Sequence, residues 1–273
     1  MMKIGLIAGS GQFPVLFSKA ASGKGYRVMA VAFKNETDPL IESVVSGLEW
    51  QHLGQVKRLI AYFKKNGVQD VVMLGAIKKT RMFLDVRPDT KAIALLAGMK
   101  NTHDDGLLGA FARVLEMENI QVRPSTFLLP EMLAREGVWT KRKPDRTEKK
   151  DIAIGWRAAK EIGRLDIGQC VVVCGGTILA VEAIDGTDAT IRRGGALARG
   201  GAVVVKVSKP QQDMRFDVPA VGEGTVQTMH EAGVSVLVIE AGKAVVFDRE
   251  EMIRLADHHR IAIVALTEGE AAP

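Results

Sequence analysis

Apolar residues are spaced in two different ways along this chain. In the first half, short apolar runs alternate with stretches whose apolar residues return every three or four positions. KIGLIA is an apolar run ending at glycine and predicts a strand. GSGQFP follows as a glycine-rich turn, and VLFSKAASGK can start a helix. YRVMAVAF predicts a second strand. In GQVKRLIAYFKKNG, Val56, Leu59, Ile60 and Phe63 have the spacing of one helix face, and Gly67 is its stop signal. VQDVVMLGAI predicts a third strand. DDGLLGAFARVLEMEN predicts a helix with Leu108, Phe111, Ala112 and Leu115 on one side, and IQV a short strand. Alternation of this kind predicts a parallel sheet with helices packed on it, an α/β domain.

VWTKRKPDRTEKKDI breaks the pattern. It is charged, contains Pro144 and has no apolar period, so it reads as a linker or as the start of the next domain's first helix. The expected division is an N-terminal domain over 1–134, a linker over 135–150 and a C-terminal α+β domain over 151–273. In the second half QCVVVCGGTILAVEAI predicts two strands around a Gly-Gly turn. GAVVVKVSK predicts another strand, and TVQTMHEAG a helix ending at Gly233. VSVLVIEAG and AVVFD look like a hairpin. REEMIRLADHHR predicts a helix with Asp248 as N-cap, and IAIVALT a closing strand.

Composition narrows the class. With 273 residues, 47% hydrophobic and 25% charged, the chain has the balance of a soluble globular protein of one large or two ordinary domains. Cys170 and Cys174 lie in an apolar run without partner histidines, so they read as small core hydrophobes on one strand face. The opening MMKIGLIAGSGQFP is too short in apolar residues for a secretory signal, and no stretch approaches the ~20 apolar residues of a membrane span, so a cytoplasmic location is expected. The net charge of +5 is partly concentrated in KRKPDRTEKK at 141–150. That block is either a solvated linker or a patch attracting an anionic lipid surface or a phosphorylated substrate. Nucleic acid is not an expected partner, because the basic residues are not interleaved with aromatics.

Four stretches can carry chemistry. AGSGQFP places Ser10, Gly11 and Gln12 after the first strand, where backbone N–H groups can meet a phosphate or nucleoside. A nicotinamide fingerprint is disfavoured by Pro14 and by the lack of an acid closing the second strand, where Phe33 and Lys34 stand. THDDGLLG sets His103, Asp104 and Asp105 at a strand-to-helix junction, as helix caps or as ligand contacts. VEAIDGTDATIRRGG offers Glu182 on an apolar strand, Asp185, Thr187 and Asp188 in a turn, then Arg192 and Arg193. Acids suit a divalent cation and arginines suit phosphate, although an ion-pair network would look the same. Thr177, just past the Gly-Gly turn, joins the substrate-binding candidates. Finally, KPQQDMRFDVP places Asp213, Arg215 and Asp217 on one face if it is extended. Two carboxylates beside a guanidinium suit a Mg²⁺–phosphate assembly, and Lys206 upstream is a further cation for an anion.

In combination, AGSGQFP, DDGLL, AVEAIDGTD, VVVKVSKPQQDMRFDVPAVG and VIEAGKAVVFD are spaced as in the LpxI family of UDP-2,3-diacylglucosamine pyrophosphatases. The resemblance runs from Ile4 to about Ile263, and DGTD has Asp185 where the family usually has glutamate. It implies a Rossmann-like N-terminal domain, a distinct C-terminal one and a lipid substrate lying between them. The implied reaction is Mg²⁺-dependent hydrolysis to UMP and 2,3-diacylglucosamine 1-phosphate (lipid X). A homodimer making transient contact with the inner membrane surface is also implied. The family's catalytic acid falls on Asp217 or Asp213, with Glu182 as a third metal candidate. Two other readings stay open: a hydrolase of another nucleotide-diphosphate sugar, and a non-catalytic protein that binds a nucleotide-linked lipid.

Overall fold

The computed structural model describes residues 2–77, 86–97, 104–198 and 200–271, without the side chains of Asp104 and Asp105. These residues form two units. Unit 1 comprises Met1–Pro130 together with Asp213–Asp217, and unit 2 comprises Glu131–Gln212 and Val218–Pro273.

Unit 1 contains β1 (Lys3–Ala8), α1 (Phe13–Gly23), β2 (Arg27–Phe33), β3 (Gly47–Gln51), α2 (Val56–Lys65), β4 (Asp70–Leu74), α3 (Thr90–Ala97), α4 (Asp104–Met117) and β5 (Gln121–Val122). Its five strands are parallel, in the order β3-β2-β1-β4-β5. The central strands read as unbroken apolar runs because helices cover them. Leu59, Ile60 and Phe63 of α2 and Ala112 and Leu115 of α4 join Ile7, Val31, Val71 and Met73 in one core. Gly5 makes room for that packing: a Cβ there would stand 2.5 Å from a Val71 methyl. The predicted apolar faces of α2 and α4 are therefore the buried ones. β3 and α3 are additions to the expected element order. β3 is only partly buried along most of its length, so GLEWQ has neither a continuous nor an alternating apolar pattern.

Unit 2 contains β6 (Gly137–Val138), α5 (Arg146–Arg164), β7 (Cys170–Cys174), β8 (Thr177–Val181), α6 (Thr187–Leu197), β9 (Ala202–Lys206), β10 (Ala220–Val221), α7 (Glu223–Glu231), β11 (Val234–Glu240), β12 (Val245–Val246), α8 (Arg249–His258), β13 (Ala262–Leu266) and α9 (Glu268–Ala271). Its large sheet runs β6-β13-β11-β9-β7-β8. β9, β11 and β13 are parallel, whereas β7 is antiparallel to both neighbours and β6 is antiparallel to β13. Alternate residues of each strand serve opposite faces. Val171, Val173, Val203 and Val205 pack on Ile152, Trp156 and Ala159 of α5. Cys170, Val172 and Val204 face Ile191, Val226, Met229 and Met252 from α6, α7 and α8. Both cysteines are free thiols, and Cys174 packs against the same core as Cys170.

The charged run resolves in favour of a helix start. Asp145 accepts from the N–H groups of Thr147 and Glu148, and Glu148 accepts from the Asp145 N–H, a complete capping box that opens α5 at Arg146. The Gly-Gly turn is a hairpin as expected, with Gly175 and Gly176 at φ of 58° and 79°.

Three expectations are corrected. VSVLVIEAG and AVVFD do not form a hairpin: β11 lies inside the large sheet, and β12 pairs in parallel with β10 in a small sheet of its own. The sequence TDATIRRGG is a helix, α6, rather than part of a turn. Gly194 and Gly195 bring it close to its neighbours, since a Cβ on Gly194 would stand 2.5 Å from Val172. Asp248 does occupy the N-cap of α8, but at φ 45° its side chain makes no capping bond.

Candidate functional site

Asp213–Asp217 follows β9 in the chain yet belongs to unit 1. It is not extended, so the expected sharing of one strand face is corrected. The N–H groups of Phe216 and Asp217 donate to the Asp213 carbonyl at 3.2 and 3.0 Å, which makes the pentapeptide a single helical turn. Residues four apart on such a turn share a side, so Asp213 and Asp217 remain neighbours by a different geometry.

The turn is tied down through its middle. Phe216 packs against the core formed by α2, α4 and the sheet. The Ser125 N–H donates to the Met214 carbonyl at 3.2 Å. Arg215 grips Asp213 through Nε, 3.0 Å from both carboxylate oxygens, and through Nη2 at 2.7 Å. Its Nη1 reaches Glu116 of α4 at 2.7 Å. The Arg215 side-chain bond holds the Asp213 carboxyl below its usual range, outweighing the opposing effect of partial burial, and Arg215 is raised in return. Three of the five guanidinium N–H groups are engaged in these bonds, leaving two for another acceptor. Glu116 and Ser125 were not among the sequence candidates. Glu116 lies 99 positions from Arg215, and nothing local marks it.

A second group gathers in unit 2. Glu182, just past β8, is buried but not unpaired. It accepts from the Gln169 N–H at 3.0 Å and from the Thr187 hydroxyl at 2.7 Å. Lys206, the last residue of β9, donates to the Ala220 carbonyl at 2.8 Å, so a neutral acceptor stands where an anion was expected. Burial first, then the nearby charges of Glu182 and Asp188, push the Cys170 thiol up to about 12 against the opposing charge of Lys206. Asp185 pairs with Arg193 at 2.8 Å, so this stretch does contain the ion pair that a structural network requires. Arg192 and Asp188 are exposed on α6, and Thr177 is exposed at the start of β8.

The glycine-rich turn lies at the carboxyl ends of β1 and β4, where the strand order reverses direction and α/β sheets bind ligands. Ser10 exchanges backbone bonds with Ala76, with N···O distances of 2.8 and 3.2 Å, and its hydroxyl donates to the Ala76 carbonyl at 2.8 Å. Gly11, at φ 90°, faces open space, and Gln12 heads α1 without a side-chain cap. Asp104 and Asp105 open α4, but their side chains, like His103, lie outside the described residues.

Among the described residues, no three His, Cys, Asp or Glu side chains form a metal cage, and no helix is long and apolar enough to cross a membrane.

Comparison with known proteins covers nearly the whole chain. The LpxI N-terminal domain matches residues 3–132 and the LpxI C-terminal domain residues 135–264. UDP-2,3-diacylglucosamine pyrophosphatase LpxI of Caulobacter vibrioides is 32% identical over 281 residues, 99% of each chain. Solved structures are more distant. The biotin carboxylase domain of 2-oxoglutarate carboxylase from Hydrogenobacter thermophilus is 14% identical at a TM-score of 0.28, over 65% of this chain and 36% of that one. CobK precorrin-6A reductase is 12% identical at a TM-score of 0.30, over 98% and 88%.

Proposed function

The chain belongs to the LpxI family, and on that premise we propose that it hydrolyses the diphosphate of UDP-2,3-diacylglucosamine to UMP and 2,3-diacylglucosamine 1-phosphate. The observation that supports this most is the Asp213–Asp217 turn, which gathers two acids and an arginine on unit 1 and holds them there.

The donor set fits a divalent cation. Asp213 and Glu116 both bond to Arg215, and Asp217 shares a side of the turn with Asp213. Mg²⁺ ordinarily takes one or two carboxylates and completes its shell with water and substrate phosphate, so two acids in one turn suffice without a third. Asp217 and Asp213 would hold it, and when bound it neutralises phosphate oxygens and orients a water. Arg215 fixes the Asp213 carboxylate in its ionised form and directs its remaining N–H groups to a phosphoryl oxygen. Glu116 in turn orients Arg215. Positioning and charge neutralisation are what phosphoryl transfer to water chiefly requires. Gly11 and Gln12 offer backbone N–H groups to a nucleotide phosphate, whereas the Ser10 N–H is committed to the Ala76 carbonyl. Glu182 is assigned to holding Thr187 at the head of α6. The exposed Lys141, Lys143, Lys149 and Lys150 support brief contact with anionic lipid while the substrate is drawn from the bilayer.

The test is incubation of the purified chain with UDP-2,3-diacylglucosamine, with Mg²⁺ and then with chelator. Release of both products that stops on chelation is the expected result. Retained lipid without products would move the reading to a carrier, and cleavage of water-soluble UDP-sugars at comparable rates would move it to a general nucleotide-sugar hydrolase.

A further inference from the structure

A buried ion pair holds the segment that leads into the turn. Lys160, on α5, and Glu240, ending β11, are 8% and 2% exposed. Lys160 Nζ lies 2.8 and 2.7 Å from the two Glu240 oxygens. Their bonds converge on Ser208: its N–H donates to Glu240 Oε2 at 2.8 Å, and its carbonyl accepts from Lys160 Nζ at 3.1 Å. From Ser208 the network runs forward. The Ser208 hydroxyl and the Lys209 N–H both donate to Gln212 Oε1, at 2.9 and 2.8 Å. Lys209 pairs with Asp166 at 2.6 Å, and Gln211 donates to the Gly163 carbonyl at 2.8 Å. Gly163 allows that approach, since a Cβ there would lie 3.2 Å from Lys209 Cα.

Stability alone is a poor reason for this arrangement. Removing two charges from water is costly, and a hydrophobic pair of similar volume is often as stable or more so. Burial alone would raise the Glu240 carboxyl, but bonds from Lys160, Lys243 and the Ser208 N–H outweigh it and leave it below its usual range. Glu240 is thus kept charged where the pair's bonds hold the Ser208 backbone at its N–H and its carbonyl, the bonds to Gln212 Oε1 carry that hold on to Gln212, and Asp213 comes next.

We propose that Lys160 and Glu240 are positioning residues for the hydrolysis: they lock Ser208–Gln212 as a rigid lead-in, so that the chain delivers Asp213 and Asp217 to their turn in one register. The proposal rests on the hydrolase reading above.

The test uses the full chain with Mg²⁺ and UDP-2,3-diacylglucosamine. The double variant Lys160→Met/Glu240→Leu removes both charges at similar volume. Its thermal midpoint should be unchanged or higher, while kcat falls about 10- to 100-fold, the scale of a small misplacement, and KM stays within about threefold. Amide exchange over Ser208–Asp217 should quicken. Glu240→Gln keeps an oxygen for the Ser208 N–H and should recover most of kcat. Wild-type kcat in the double variant, or a loss that Glu240→Gln shares in full, overturns the proposal. If the double variant does not fold, Gln212→Leu carries the same expectation, and a wild-type kcat there overturns the proposal. An inactive wild type would sink the hydrolase reading instead, and unchanged exchange in the double variant would then reject the lock.

Discussion

Arg215 shows how a grouping can start from the wrong local geometry and still hold in space. Alternation along an extended strand was the reason for grouping it with Asp213 and Asp217, and the group survives although the segment is a helical turn. Both geometries place acids four apart on one side. What a local pattern could not supply was Glu116, because an ion pair between residues 99 positions apart leaves no trace in spacing. The partner of Lys206 was hidden for a related reason: a carbonyl acceptor is backbone, and no side-chain pattern announces it. At this scale Asp217→Ala and Asp213→Ala should each remove most turnover while the fold persists, as groups acting as a unit do. Glu116→Gln keeps the shape but weakens the hold on Arg215, and should lower kcat about tenfold with less effect on KM. Steady-state kinetics on the three variants decides this, and near-normal rates in both aspartate variants would make the acids structural.

Elements were legible where one physical signal dominated. Apolar faces gave α2 and α4, continuous valine runs gave β7, β9 and β11, and paired glycines gave the β7–β8 hairpin. The elements missed or misread, β3, α3 and α6, lack such a signal. α6 carries threonines, an aspartate and paired glycines where strong helix formers are expected, and its glycines serve close packing. Gly194→Ala should accordingly cost about 1–3 kcal/mol through overpacking against Val172, read as a lowered denaturation midpoint. The ends of α7 and α8 make a pH-dependent contribution. His230 and His259 stack with ring centroids 3.6 Å apart, and His258 meets His259 edge-on at 4.8 Å. Partial desolvation, then His230 and His258, lower the His259 pKa. A base whose folded pKa is depressed favours folding fully above its ordinary value near 6.5, and that contribution is lost as pH falls from there toward the folded value. Melting curves between pH 7.5 and 5 should therefore show a larger loss for the wild type than for His259→Gln, and parallel losses would remove the stack from the account.

For the whole molecule, the parallel N-terminal sheet and the distinct C-terminal fold were readable from where strands and helices alternate. Pairing partners in the C-terminal half were not. A hairpin and a parallel crossover begin with the same apolar run, and only the covering helices decide between them. Here α7 and α8 connect β9, β11 and β13, which draws β11 into the large sheet and leaves β12 to β10.

Unit 1 is also discontinuous along the chain, and that sets an order in time. A ribosome delivers Met1–Pro130 first, then Glu131–Gln212 of another unit, and only then the five residues that finish the earlier one. Every nascent chain thus passes through a stage at which the N-terminal sheet can be assembled but Asp213 and Asp217 are still unmade. The Ser125 N–H reports on that stage, because its acceptor is the Met214 carbonyl. A chain arrested after Gln212 should exchange that amide quickly, and one extended past Asp217 should protect it.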